Sequence, residues 1–378
     1  MTSLRITNVN LIDPESQTVE LGNLSIKNGR IADDDPTLPS LDGQGKYLAP
    51  GIVDIGAKVC EPGERHKESF RSAGLSAAAG GVTTLITRPD TDPAIDSPET
   101  LEFANRRAQS TCVVRCYQMA ALTKGRLGKE MTEIGFLQDA GAIAFSDCDS
   151  VVTNTKVLAR ALTYARQLGA LVIGHPQDPG LSQAASATSG KFATLRAIPA
   201  VSPMAERLGL ERDLAIVEMT GAKYHADQLS TALALPALER AKQQGLDVTA
   251  GVSIHHLTLN ELDVGDFRTF FKVKPPLRSE DDRLAAPLES LRQHRRGLDH
   301  RVGAVGDDDP HLRRLARGAG DQSAVRIGQL EAVLAHHFDH PERQRHPRFL
   351  EQRRDPAIDD LILRQRVEIG LVDSAAGG

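Results

Sequence analysis

Leu48-Ala-Pro-Gly-Ile-Val-Asp-Ile-Gly-Ala-Lys-Val-Cys-Glu-Pro-Gly-Glu-Arg-His-Lys-Glu68 is the stretch on which the reading of this chain turns. Its apolar run Gly51-Ile-Val-Asp-Ile reads as a buried barrel strand that ends in a turn at Glu61-Pro62-Gly63. Residues beyond the C-terminal end of such a strand face the active site of a parallel barrel. The side chains of Gly56 to Glu68 are therefore the first to inspect for chemistry.

Outward from this stretch, the segment before it is β-rich. Leu4-Arg-Ile-Thr-Asn-Val-Asn-Leu-Ile-Asp and Leu24-Ser-Ile-Lys-Asn-Gly-Arg-Ile read as short strands, with a hairpin turn at Asn28-Gly29. After Pro50, strand-like and helix-like stretches alternate in the rhythm of a parallel βα sheet. Strands are predicted at Val82 to Thr87, Thr111 to Tyr117, Ala142 to Phe145, Leu171 to Ile173, Lys223 to Ala226 and from Val248. Helices are predicted over Ser69 to Ala79, Glu130 to Ala140, Thr155 to Leu168, Arg207 to Thr220 and Leu235 to Gln244. No repeat of solenoid length is present.

At 378 residues the chain has room for one large α/β barrel and a small appended domain. A net charge of -5 argues against a nucleic-acid or anionic-membrane partner. The lack of a long apolar run or a signal-peptide core makes a cytoplasmic protein the expectation. The four cysteines, Cys60, Cys112, Cys116 and Cys148, are too scattered for a disulfide framework. In the run Thr111 to Tyr117, alternation places Cys112 and Cys116 on one strand face, as packing residues or as a soft-metal or redox pair.

The opening stretch resembles the dihydroorotase pattern of the amidohydrolase superfamily, Gly-x-x-Asp-x-His-x-His-x-Arg-Glu-Pro-Gly. Asp54, Glu61, Pro62 and Gly63 match, whereas Gly56 and Lys58 stand where the two metal-binding histidines are expected, and Cys60 where an arginine would grip the substrate carboxylate. Further matches follow in family order. Gly141-Ala-Ile-Ala-Phe-Ser-Asp-Cys-Asp retains a carboxylate ligand position at Asp147, and Leu171-Val-Ile-Gly-His retains a histidine ligand position at His175. Tyr224-His-Ala-Asp-Gln carries Gln228 in place of a ligand histidine, and His255-His256 matches a packing pair. Arg88-Pro-Asp-Thr-Asp-Pro and Lys272-Val-Lys-Pro-Pro-Leu-Arg-Ser-Glu-Asp-Asp-Arg place Asp90 and Lys274 where the family has asparagines. The catalytic Asp-His-Ala-Pro-His of the last barrel strand has no counterpart.

A binuclear site needs imidazoles and carboxylates converging from several strand ends to polarise an amide and generate hydroxide. What the resemblance implies is a TIM-like (β/α)8 barrel of the amidohydrolase type with its ligand set depleted. Residues 1–48 are expected to form a small β-domain segment, 49–290 the barrel, and 291–378 a divergent Arg/His-rich region, either a native final domain or a shifted reading frame. The function expected is that of a non-catalytic dihydroorotase homologue, a pseudoenzyme assembling in a hetero-oligomer with the aspartate carbamoyltransferase catalytic chain of pyrimidine biosynthesis. No cofactor is expected, and Asp147 and His175 are leftovers of the metal site. The alternative is an active cyclic amidohydrolase that holds zinc through Asp147, His175 and altered partners.

Overall fold

The computed structural model describes residues 3–14, 16, 18–266, 268–285 and 369–372. Five strands near the N-terminus form one sheet: β1 (Leu4–Asp13), β2 (Thr18–Lys27), β3 (Arg30–Ala32), β4 (Ser40–Asp42) and β5 (Tyr47–Pro50). The β2–β3 hairpin turns at Asn28 and Gly29, both at positive φ, as the Asn-Gly pair predicts. Ile6, Val9, Ile26 and Leu48 make its separate apolar core.

From Ile52 the strands become parallel: β6 (Ile52–Ala57), β7 (Val82–Thr87), β8 (Arg115–Gln118), β9 (Phe145–Ser146) and β10 (Leu171–Gly174). After a small pair, β11 (Ala187–Thr188) with β12 (Ala200–Val201), the series resumes with β13 (Lys223–Ala226) and β14 (Val248–Ala250). Register pairs link β6, β7 and β8 in one sheet and β9, β10, β13 and β14 in another. A parallel bridge from Ala120 to Phe145 continues the first sheet into the second. Seven parallel strands thus run in chain order, and their C-terminal ends share one side.

The intervening helices are α1 (Phe70–Ala79), α2 (Pro98–Thr111), α3 (Ile134–Asp139), α4 (Thr155–Gln167), α5 (Pro179–Ser182), α6 (Lys191–Leu195), α7 (Met204–Thr220), α8 (Leu235–Gln243) and α9 (Ile254–Thr258). Ser69 and Ser97 cap α1 and α2 in reciprocal capping boxes, and Gly221 in the left-handed region ends α7. Helix faces such as Leu101, Ala104 and Ala108 of α2 and Leu158, Ala161, Leu162 and Ala165 of α4 pack on strand residues Phe145, Val172 and Tyr224 in the main core. Burying each large side chain there contributes about 1.5–3 kcal/mol.

The structure corrects three local expectations. β6 is a strand, but Ile52, Val53 and Ile55 are exposed (56%, 54% and 41%), because among the described residues β6 pairs only with β7. The helix expected from Glu130 starts at Ile134, since the Glu130 carbonyl accepts from Lys124 N–H and Met131 bridges Thr123. The strand expected from Thr111 starts at Arg115, because α2 continues to Thr111 and Cys112 N–H closes its last turn on Ala108. Cys112 is thus a helix cap and not a strand residue, although its thiol still meets that of Cys116. A further strand, β15 (Ile369–Val372), pairs antiparallel with β5 and joins the small sheet. The rest of the 291–378 region, with the question of its reading frame, lies outside the described residues.

Gly63 holds the turn after β6 in place. It sits at φ +95°, and a Cβ there would lie 2.1 Å from the Asp92 carbonyl oxygen. Gly63→Ala is therefore expected to destabilise the protein by about 2–4 kcal/mol, read as a lowered Tm. An unchanged Tm would mean that the turn relaxes freely.

Candidate active site

The C-terminal ends of the parallel strands deliver a cluster of charged side chains to one mouth. Lys58 follows β6, Arg88 and Asp90 follow β7, Asp147 to Asp149 follow β9, His175 follows β10 and Asp227 follows β13. Their contacts are specific. Lys58 Nζ lies 2.9 Å from Asp90 Oδ2, and the buried Arg88 guanidinium lies 3.6 Å from both Asp90 and Asp227. On the other side Lys274 Nζ donates to the Asp149 carbonyl at 3.1 Å and contacts its carboxylate at 3.3 Å, where Arg126 also pairs at 2.9 Å.

Burial, with added negative charge from Asp54 and Asp90, pushes the Asp227 carboxyl up to about 6 against the pull of Arg88. Burial raises Asp149 too, but Lys274 and Arg126 more than offset it and hold this carboxyl below its ordinary value. His175 is pushed down to about 3 by burial and then by the charges of Lys274 and Arg88, so its ring is neutral at physiological pH. Three buried polar atoms around the mouth, Arg88 Nε, Asp90 Oδ1 and His175 Nε2, make no hydrogen bond. Arg88 Nε and Asp90 Oδ1 face each other at 3.6 Å, which leaves His175 Nε2 as the atom open to water or a polar ligand, because buried polar groups are normally satisfied.

Asp147 and His175 come together at one small cavity, lined also by Leu122, Cys148 and Tyr224. Their chemistry there is not that of a metal pair. Both carboxylate oxygens of Asp147 are engaged by Thr123, one by its backbone N–H at 2.9 Å and one by its hydroxyl. Gly56 has no side chain to offer, Lys58 is an ion-paired ammonium, and Gln228 stands at the end of β13 where a histidine would be needed. Among the described residues no three His, Cys, Asp or Glu side chains are placed to hold a metal ion. The ligand set implied by the resemblance therefore does not fit this mouth.

His225 and His256 make packing contacts away from the charged cluster. His225 Nδ1 contacts Thr249 Oγ1 at 2.8 Å, and His256 Nε2 contacts the Pro275 carbonyl at 3.2 Å. Cys60, at the position of the expected carboxylate-gripping arginine, is buried. Two features escape a reading of the sequence alone. Asp227 draws no notice beside the altered Gln228, although a carboxylate just past the C-terminal end of a parallel strand is itself a signal. Lys58 and Asp90 look like two separate losses, yet they form one ion pair.

The parallel α/β scaffold with a polar cluster at its strand ends has the fold of the hydantoinases (dihydropyrimidinases). Solved structures of that class are similar in fold: L-hydantoinase (dihydropyrimidinase) from Arthrobacter aurescens superposes with a TM-score of 0.65 at 20% identity over 76% of this chain and 66% of that one. D-hydantoinase from a Thermus species gives 0.62 at 20% identity over 77% and 66%. The chain thus spans about two thirds of the length of these hydantoinase chains.

Residues 45–232 match the dihydro-orotase-like family. The chain is 36% identical to the dihydroorotase of Syntrophus aciditrophicus over 86% of its own length and 76% of the relative's, and 33% identical to that of Desulforapulum autotrophicum over 88% and 78%. It is 37% identical to the Thermus aquaticus dihydroorotase over 81% and 72%. The chain belongs to the dihydroorotase-like family of the amidohydrolase superfamily. These relatives carry the name of the enzyme at 33–37% identity over most of this chain, which overturns the expectation of a non-catalytic assembly subunit in favour of the enzyme alternative. Among the described residues no helix is long and apolar enough to cross a membrane.

Proposed function

We propose that this chain hydrolyses a cyclic amide of the dihydroorotate type, opening the ring to a carbamoyl amino acid at the mouth of a (β/α)8 barrel. Seven parallel strands in chain order support the barrel, with the mouth at their C-terminal ends. The observation that carries the activity is the cluster Lys58–Asp90–Arg88–Asp227, which combines two cations with a carboxylate that burial pushes up to about 6. Relatives named dihydroorotase supply the substrate class.

In this mechanism the Asp227 carboxylate accepts a proton from water as the hydroxide oxygen bonds to the ring carbonyl carbon. The carbonyl π pair moves to its oxygen, where the Arg88 and Lys58 cations stabilise the developing charge. Collapse of the adduct breaks the C–N bond, and the ring nitrogen takes the proton that Asp227 now carries. Asp90, which looks from the sequence like a charge that repels a carboxylated ring, is neutralised by Lys58 and Arg88 and presents no net repulsion.

The test is hydrolysis of dihydroorotate by the full chain at neutral pH, followed by the appearance of carbamoyl-aspartate. Turnover above the uncatalysed rate is expected. No turnover of dihydroorotate or of a hydantoin ring would sink the proposal.

A further inference from the structure

The positive charge of this mouth is supplied by the chain itself. We infer that Lys58 and Arg88 together take the place of a divalent cation, so that the mouth neither needs nor retains one. This rests on the hydrolase proposal only for what the charge is used for; the metal-binding part stands on the donor set alone.

The first argument is occupancy by charge. The Lys58 ammonium reaches from the end of β6 to Asp90 at 2.9 Å, while Arg88 lies between Asp90 and Asp227 at 3.6 Å from each. Asp90 and Asp227 are therefore already paired with cations of the chain itself. A divalent ion placed between them would have to displace an ammonium and a guanidinium or lie against both, and like charges at such range in a partly buried site repel strongly.

Donor quality is the second argument. Asp147 spends both oxygens on Thr123, and Gln228 stands at the end of β13 with a neutral amide, a poor partner for a transition metal. His175 does keep an Nε2 without a hydrogen bond, but among the described residues no three His, Cys, Asp or Glu side chains are placed to hold an ion. One imidazole without further donors does not make a metal site.

A third point concerns how the charges are held. Asp90 is almost fully buried and Arg88 largely so, whereas Lys58 is half exposed at the rim. The inner guanidinium is fixed, and the ammonium can leave Asp90 for a developing oxyanion without a large rearrangement. An exchangeable cation at the rim beside a fixed one is the arrangement that the proposed hydrolysis needs.

Zinc binding is measured by calorimetry and by metal analysis after dialysis, on the full chain and on Gly56→His/Lys58→His, with thermal melts confirming that both are folded. The native chain is expected to retain no stoichiometric zinc. The double variant, which removes the ammonium and adds two imidazoles, is expected to bind zinc at least about 100-fold more tightly. Stoichiometric zinc on the native chain, or equal zinc affinity of the two folded proteins, overturns the inference. Chelator treatment of the native chain separates it from the proposed function. Hydrolysis lost on chelation and restored by zinc removes the inference and leaves the function. No hydrolysis at all, together with zinc gained only by the double variant, removes the function and leaves the inference.

Discussion

Asp227→Asn lowers kcat/KM for dihydroorotate hydrolysis by at least about 100-fold, because an amide cannot accept the proton that the attacking water must lose. The native pH profile rises through about 6, the value to which burial pushes this carboxyl, and levels above it as Asp227 ionises. The groups facing Asp227 are Arg88 at 3.6 Å, with Asp54 and Asp90 as the neighbouring negative charges. The profile of the variant is low and lacks that ascending limb.

Stability moves the other way. A carboxyl whose pKa is higher in the folded than in the unfolded chain favours the fold only while protonated, and this benefit is lost as pH rises from about 4 through about 6. At pH 8 the native chain carries an ionised, poorly solvated Asp227, and Asp227→Asn removes that penalty. The variant is therefore expected to melt at or above the native temperature at pH 8 while losing activity. A variant with full activity, or one inactive only because it melts early, would remove Asp227 from its proposed role.

Arg278→Met has the largest expected effect on the fold. Arg278 is buried and reaches Glu206 at 3.2 Å, Ser230 Oγ at 2.9 Å and Thr188 Oγ1 at 3.2 Å. Glu206 on α7 is fully buried and also accepts from the backbone N–H of Ser230 at 2.8 Å and of Thr231 at 3.0 Å. This knot ties α7, the β11 pair and the segment after β13 to the turn around Arg278 by charge-assisted bonds. Removing the guanidinium leaves a buried carboxylate without its counter-charge, at a cost of about 3–5 kcal/mol. For a domain of this size the fall in Tm is roughly ten degrees.

The pH dependence follows from sign. Burial already raises the Glu206 carboxyl, and Arg278 is the main opposing influence, so the variant raises it further. A raised folded pKa penalises the ionised form, so the deficit of Arg278→Met is larger at pH 8 than at pH 5. Glu206→Leu/Arg278→Met, which deletes both charges, is expected to recover a large part of the loss. Equal melting of the single variant and the native chain would show that water replaces the guanidinium.

How far the sequence reaches can be judged at particular residues. Ser69, Ser97, Asn28-Gly29 and the apolar faces of α2 and α4 mark elements that form where local chemistry places them, because caps, hairpin turns and helical periodicity depend on near neighbours. The boundaries at Thr111 and Ile134 were not legible, since a helix cap at Cys112 and a bridge from Met131 to Thr123 are settled by packing between elements. The exposure of Ile52 and Val53 was equally hidden, because an apolar run does not say how many of its sides find a neighbour. At the site, Gly56, Lys58 and Gln228 announced the loss of ligands by residue type alone. What replaced them did not show.

The sequence by itself therefore determined the order of parallel strands, the place of the mouth at their C-terminal ends and the absence of the expected imidazoles there, all of which depend on residue type and short-range pattern. Tertiary structure alone decided that Lys58 pairs with Asp90, that Arg88 bridges Asp90 and Asp227, and that Thr123 takes up both oxygens of Asp147. Charges on separate strands meet only when the sheet aligns their ends. The field that each one feels is set by that meeting and by the water the fold excludes.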